Sequence, residues 1–168
     1  MTEHARAMLT DHFGRIDELV EDLTDGLSPE SSLWRPAADA NTIAWLLWHQ
    51  SRVQDDHVSD LAGTEQVWPQ WHERLDLPLD VSDTGFGHSP DDVAAVRISA
   101  ADLRDYHAQV HARTLEYVRR LDGDELERVV NSDWDPPVTV AIRLVSVIGD
   151  CLQHLGQAAY IRGIAPAG

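Results

Sequence analysis

The sequence predicts an all-α protein of one domain over residues 1–168, an antiparallel four-helix bundle with a long crossover segment between its second and third helices. Three observations carry that expectation. Four segments repeat apolar residues at three- and four-residue spacing, and none alternates with the period of two that marks a half-buried strand. A length of 168 residues suits one domain with a sizeable core. Four apolar stripes of this extent are buried most simply against one another.

The first helix is expected from about Glu3 to Leu27, on a stripe of Leu9, Phe13, Ile16, Leu19 or Val20, Leu23 and Leu27. Gly26 and Ser28-Pro29 close it, because proline disfavours helix at the residue before it. The second spans about Thr42 to Leu61 after Asn41 as N-cap, with Leu46 or Leu47, His49, Val53, His57 and Leu61 on its stripe. The crossover, roughly Gly63 to Ile98, is too long to be a mere link. It holds Trp68, Trp71, Gly85-Phe86-Gly87-His88 and a helical turn at Asp91 to Val96, and is expected to pack across a bundle end or to lid a site. The third helix runs from about Ala100 to Leu121, with Ser99 and Asp102 as its cap and Leu103, His107, Val110, Thr114, Tyr117 and Leu121 inward. The fourth begins near Thr139, after Pro136-Pro137, and stops at Gly163, a natural C′ residue. Its stripe is Val140, Leu144, Val147, Cys151, Ala158 and Ile161. The short third connection favours neighbouring antiparallel helices.

Composition narrows the chemistry. The chain has 13 basic residues, all arginine, against 29 acidic ones, a net charge of −16. That balance repels phosphate, which excludes a nucleic-acid groove and a polybasic membrane patch. Without lysine there is no Schiff-base catalysis and no P-loop. The single cysteine, Cys151, excludes an intrachain disulfide framework and a cysteine-rich zinc ribbon. Met1 to Leu9 lacks the apolar core of a signal peptide, and no apolar stretch approaches the ~18 residues of a membrane span. A soluble cytoplasmic protein is the expectation.

Nine histidines remain to be placed. Asp150 and His154 stand four apart, so both project from one helix face and can hold a divalent cation with a third ligand from a facing helix. His49, in the apolar run Trp45 to His49, reads by itself first as a hydrogen-bonded core histidine, with a ligand as the alternative. His107 and His111 offer a competing His-x-x-x-His pair, and spacing does not choose between the two. His57, beside Asp55-Asp56, fits a ligand or a solvated helix face. Gln157 lies one turn beyond His154, where it reaches a ligand, its bound water, or only solvent. Arg143 suits a carboxylate anchor or an ion pair, and Arg162 the neutralisation of helix-end carbonyls. Gly85-Phe86-Gly87-His88 reads as a hinged flap bringing His88 toward the metal, or as a structural turn; its spacing is not that of a dinucleotide loop. Trp45 and Trp48 belong to the core, while Trp68 and Trp71 anchor the crossover or line a pocket mouth. Cys151, beside Asp150 and on the buried stripe, is a poor nucleophile.

Several segments together resemble the DinB-like superfamily of four-helix-bundle metalloenzymes, in its actinobacterial branch near the mycothiol-dependent transferases. They are Trp34-Arg35-Pro36, Ile43 to His49, Arg52 to His57, Gly85 to His88, Trp134 to Pro137, and Asp150 to Gly163 with its His-x-Gly-Gln and Tyr-x-Arg-Gly. The resemblance implies three metal ligands, one histidine in the second helix and a His-x-x-x-His pair in the last. These fall on His49, Asp150 and His154, with aspartate where the family has histidine. Carboxylate is a competent ligand for zinc, and equally for nickel, manganese or iron.

The resemblance further implies a metal-dependent thiol S-transferase or related detoxification enzyme. A low-molecular-weight thiol such as mycothiol is activated at the metal and attacks an electrophilic substrate. Gln157, His88 and Arg143 are the candidate supporting contacts. Two alternatives stand beside it: a metal-dependent hydrolase, and a non-catalytic, stress-related or small-molecule-binding dimeric bundle with a degenerate site. A homodimer is expected from the resemblance; nucleic-acid and membrane partners are not.

Overall fold

The computed structural model describes residues 2–166. Four long helices build the all-α bundle: α1 (Thr2–Thr24), α3 (Ile43–Ala62), α6 (Ala100–Arg120) and α8 (Val140–Ile164). Short helices α2 (Pro29–Leu33), α4 (Trp68–Leu75), α5 (Pro90–Ala95) and α7 (Gly123–Glu127) lie between them. Strands β1 (Val129–Asn131) and β2 (Val138–Thr139) pair antiparallel before α8. At three and two residues they are too short to show the alternation by which strands are read. No described helix is long and apolar enough to cross a membrane.

Several helix ends differ from expectation for local reasons. Helix α1 stops at Thr24, whose hydroxyl donates back to the Val20 carbonyl at 2.8 Å. The N-cap of α3 is Thr42 rather than Asn41, its Oγ1 accepting from Trp45 N at 3.0 Å. Helix α8 continues through Gly163 to Ile164. There Arg162 donates to the carbonyls of Asp22 and Asp25, tying this end of α8 to the end of α1. Ser99 caps α6 as expected, accepting from Asp102 N at 3.1 Å.

Around the bundle, α1 and α3 each pack on both α6 and α8. The side-chain pairings give the directions. Asp17 faces His107 and His111 while Arg6 reaches the Arg119 carbonyl, so α1 and α6 run antiparallel. His49 meets His154 while Val53 and His57 share a cavity with Val147 and Ser146, so α3 and α8 are antiparallel too. The other two neighbours run parallel. Ser51 bonds to His107 and Gln54 to Thr114 across α3 and α6, and α1 lies along α8 from Ala5 beside Ala141 to Asp22 beside Arg162. The order is thus up, down, down, up. A parallel α3–α6 pair requires the crossover to travel the length of the bundle. Helices α6 and α8, expected as neighbours, are not among the principal packed pairs; residues 121–139, with α7 and the hairpin, carry the chain across.

The crossover packs on α3, which is therefore buried on nearly every side. Trp68 and Trp71 are buried anchors, and Trp68 packs against Trp48 at 5.8 Å and Tyr106 at 5.4 Å. Asp55, one of an acidic pair that fits a solvated helix face as well as a site, is buried. Its carboxylate accepts from Val67 N (3.0 Å), Trp68 N (2.8 Å) and Tyr106 Oη (3.1 Å), tying the start of α4 to α3. Arg52, also buried, donates to the Asp83 carbonyl at 3.0 Å and to Gln66 Oε1 at 2.8 Å. Its guanidinium lies 3.7 Å from Asp55 and over the Trp68 ring.

Candidate metal centre

His49, Asp150 and His154 each offer one ligand atom, and those atoms lie within 4.8 Å of one another. Helix α8 brings Asp150 and His154 to one face by their four-residue spacing, and α3 brings His49 against them. The two imidazole rings sit 4.7 Å apart between centroids, edge to face.

Each histidine is oriented by a hydrogen bond on its far nitrogen. His49 Nδ1 lies 2.5 Å from the Thr84 carbonyl, which can only accept, so that nitrogen carries the proton. His154 Nδ1 donates to Gln157 Oε1 at 3.0 Å. Both rings therefore keep an Nε2 lone pair for the site, the arrangement expected of metal-ligating histidines. Burial lowers the pKa of His49, against the opposing pull of Thr84, which favours the neutral ligand form. His154 Nε2 is 3.7 Å from Asp150 Oδ1. Asp150 Oδ2 is buried without a hydrogen-bond partner, an acceptor that a cation would satisfy. Two imidazoles and a carboxylate fit zinc, nickel, manganese or iron.

Trp45 stacks on His49 at 4.6 Å and 17°. Its indole Nε1–H donates to His88 Nδ1 at 3.1 Å. His88 also stacks on Trp48, at 5.6 Å. It thereby holds the Gly85 to His88 turn over Trp45 rather than joining the ligand group, so the flap carrying His88 to the metal is not what the structure holds. Gln157 does reach the site, through His154. The charge of Arg143 acts on His57, whose pKa is lowered by burial first and by Arg143 next, against Asp56. His107 and His111 lie across the bundle beside Asp17. Buried Cys151 packs with its Sγ 3.5 Å from the Gln50 carbonyl, and burial, then Asp150, pushes its thiol pKa up.

A cavity of about 370 Å³ opens from His49 and Asp150. Val53, Val147 and Phe86 give it an apolar wall, and Asp56, His57, Ser146 and Thr84 polar contacts. Phe86 is 95% exposed, an aromatic ring at the mouth of the cavity. Periodicity had marked Val53 and Val147 only as core, and nothing in it pointed to Thr84 or Phe86.

Gly85 is the residue that sequence reasoning undervalued. It has φ 98°, and a Cβ there would lie 2.6 Å from His49 Nδ1 and 3.0 Å from Trp45 Cζ2. Its side matters as much as its dihedral, because both neighbours are packed ring atoms. Gly85→Ala is expected to push His49 off the Thr84 carbonyl and weaken metal affinity about 10–100-fold. Competition against a chromophoric chelator measures this; unchanged affinity in a folded variant would show that the turn does not orient His49.

Over residues 5–166 the chain matches the family model described as mycothiol-S-transferase. It is also similar to the crystal structure of a conserved protein from Enterococcus faecalis, with a TM-score of 0.87 and 30% identity over 95% of each chain. No curated protein matches the chain.

Proposed function

The chain belongs to the mycothiol-S-transferase family, and from that premise we propose that it transfers a mycothiol-type thiol to a small electrophile, using a divalent cation held by His49, Asp150 and His154. Zinc is the first choice of cation. The observation that carries the reading is the pair of Nε2-presenting histidines beside the unpartnered Asp150 Oδ2, opening on a cavity. A cation bound there supplies Lewis acidity, which lowers the pKa of a thiol that reaches it.

The rest falls to the protein. Thr84 and Gln157 fix the tautomers of His49 and His154, so neither ring has to reorient. Cys151 is buried and its thiol disfavoured, so the reacting sulfur comes from a diffusible molecule. Val53, Val147 and Phe86 hold the apolar part of a substrate, while Asp56, His57 and Ser146 hydrogen-bond its polar part. In the transfer a C–S bond forms, the thiol gives up its proton, and the leaving group departs with its electron pair.

The test incubates zinc-loaded protein with mycothiol and an activated aryl chloride, following the S-conjugate by mass spectrometry and chloride release. Conjugate formation that stops on chelation and returns with zinc is the expected result. No conjugate, together with zinc-dependent ester hydrolysis, would assign the site to a hydrolase instead.

A further inference from the structure

A second group of ligand-type side chains lies between α1 and α6, across the bundle from the first. His107 and His111, four apart on α6, turn toward one carboxylate of α1. His107 Nε2 is 3.9 Å from Asp17 Oδ1, and His111 Nε2 is 3.8 Å from Asp17 Oδ2. We propose that Asp17, His107 and His111 bind a second divalent cation, which cross-links α1 to α6.

The two contacts fall between bonding and separation. Both are longer than a hydrogen bond, so the nitrogens are not satisfied by the carboxylate directly. Donors sharing a tetrahedral cation at about 2.0–2.1 Å lie roughly 3.3 Å apart, so each histidine must close on Asp17 by about 0.5 Å, and the two rings, 6.4 Å apart between centroids, must swing toward each other to share one ion. Bonding is left unmet as well. His107 is fully buried, and its Nε2, aimed at Asp17, has no hydrogen-bond partner. The His107 ring is also held in place. His107 Nδ1 lies 3.0 Å from Ser51 Oγ and 3.2 Å from Gln50 Nε2, which fix the ring with Nε2 toward the carboxylate.

Asp17 and Glu21 both place negative charge beside His111, with Arg119 opposing them. The acidic side chains give a cation the favourable sign. Ser51, His107 and Asp17 have the composition of a nucleophilic triad, yet Ser51 is fully buried, so the group binds rather than reacts. Asp17 and His111 reach its solvent-facing edge, with side chains 27% and 14% exposed.

The test counts zinc by elemental analysis and follows cobalt(II) by its visible absorption. In the double variant His49→Ala, His154→Ala, which removes the first site, one equivalent of metal is expected to remain. Adding Asp17→Asn or His111→Gln should abolish it, with helicity by circular dichroism unchanged. In the wild type, a cation at a hundredfold its Kd is expected to raise Tm, with the second site contributing about 5–10 °C. No metal in the first double variant, or metal that survives both further substitutions, overturns the proposal and leaves a bridging water as the occupant. The Asp17→Asn single variant reads the first site alone, so failure of one site does not imitate failure of the other.

Discussion

Replacing His49 or His154 by alanine is expected to abolish cation binding at the first site and to lower kcat/KM for thiol transfer at least a thousandfold. Each variant deletes an oriented Nε2 donor and leaves two ligands, one of them a carboxylate that is 38% exposed. Lewis-acid stabilisation amounts to several kcal/mol, and about 4 kcal/mol corresponds to that factor. Neither substitution should unfold the bundle, because the core stripe from Phe13 to Leu155 is untouched. Asp150→His keeps three ligands and is expected to retain metal. Elemental analysis and steady-state rates on the same preparations measure both outcomes. Full activity in metal-free His49→Ala would sink the assignment of the ligands.

The largest effect on stability is expected at Asp55, far from the chemistry. Asp55→Ala should cost about 3–5 kcal/mol, because it strands buried partners on two elements at once. Val67 N, Trp68 N and Tyr106 Oη lose their acceptor, and the buried Arg52 guanidinium loses its nearest carboxylate. For a chain of this length a midpoint shift of roughly 10 °C follows. Denaturant unfolding of both proteins measures the difference. A loss under about 1 kcal/mol would mean that water replaces the carboxylate and that the crossover docks by its tryptophans alone.

The sequence made some of this legible and hid the rest for identifiable reasons. Asp150, His154 and Gln157 share a helix face by spacing alone, so their meeting could be read without a structure. The resemblance supplied His49. The thiol of Cys151 was readable as inert, since its neighbour and its stripe both disfavoured the thiolate. Thr84 and Gly85 were not readable as partners of His49, because that contact joins residues 35 apart through a turn. The burial of Asp55 was not readable, because two adjacent aspartates fit a solvated helix face as well as a site, and only the docked crossover shows that one is inside. Helix direction was invisible too. The same four apolar stripes serve an up-and-down bundle and the observed up, down, down, up order equally well. Asn41 and Thr42 are both good caps, and a one-residue choice between them lies below the resolution of propensity.

That order of helices has a consequence for how the chain reaches its native state. No principal packing partner is the next long helix along the chain except α6 after α3, and these two are separated by the crossover. Tertiary hydrogen bonds across the four packed pairs close loops of 60 residues (Gln54 to Thr114), 101 (Gln50 to Cys151), 113 (Arg6 to Arg119) and 140 (Asp22 to Arg162). Folding rates fall as such separations grow, because loop entropy is lost before contacts repay it. The protein is helical in content, yet its packed pairs join residues 60 to 140 positions apart. It is therefore expected to fold more slowly than an up-and-down bundle of equal size, with α1 waiting for α8, the last of the four long helices to be made.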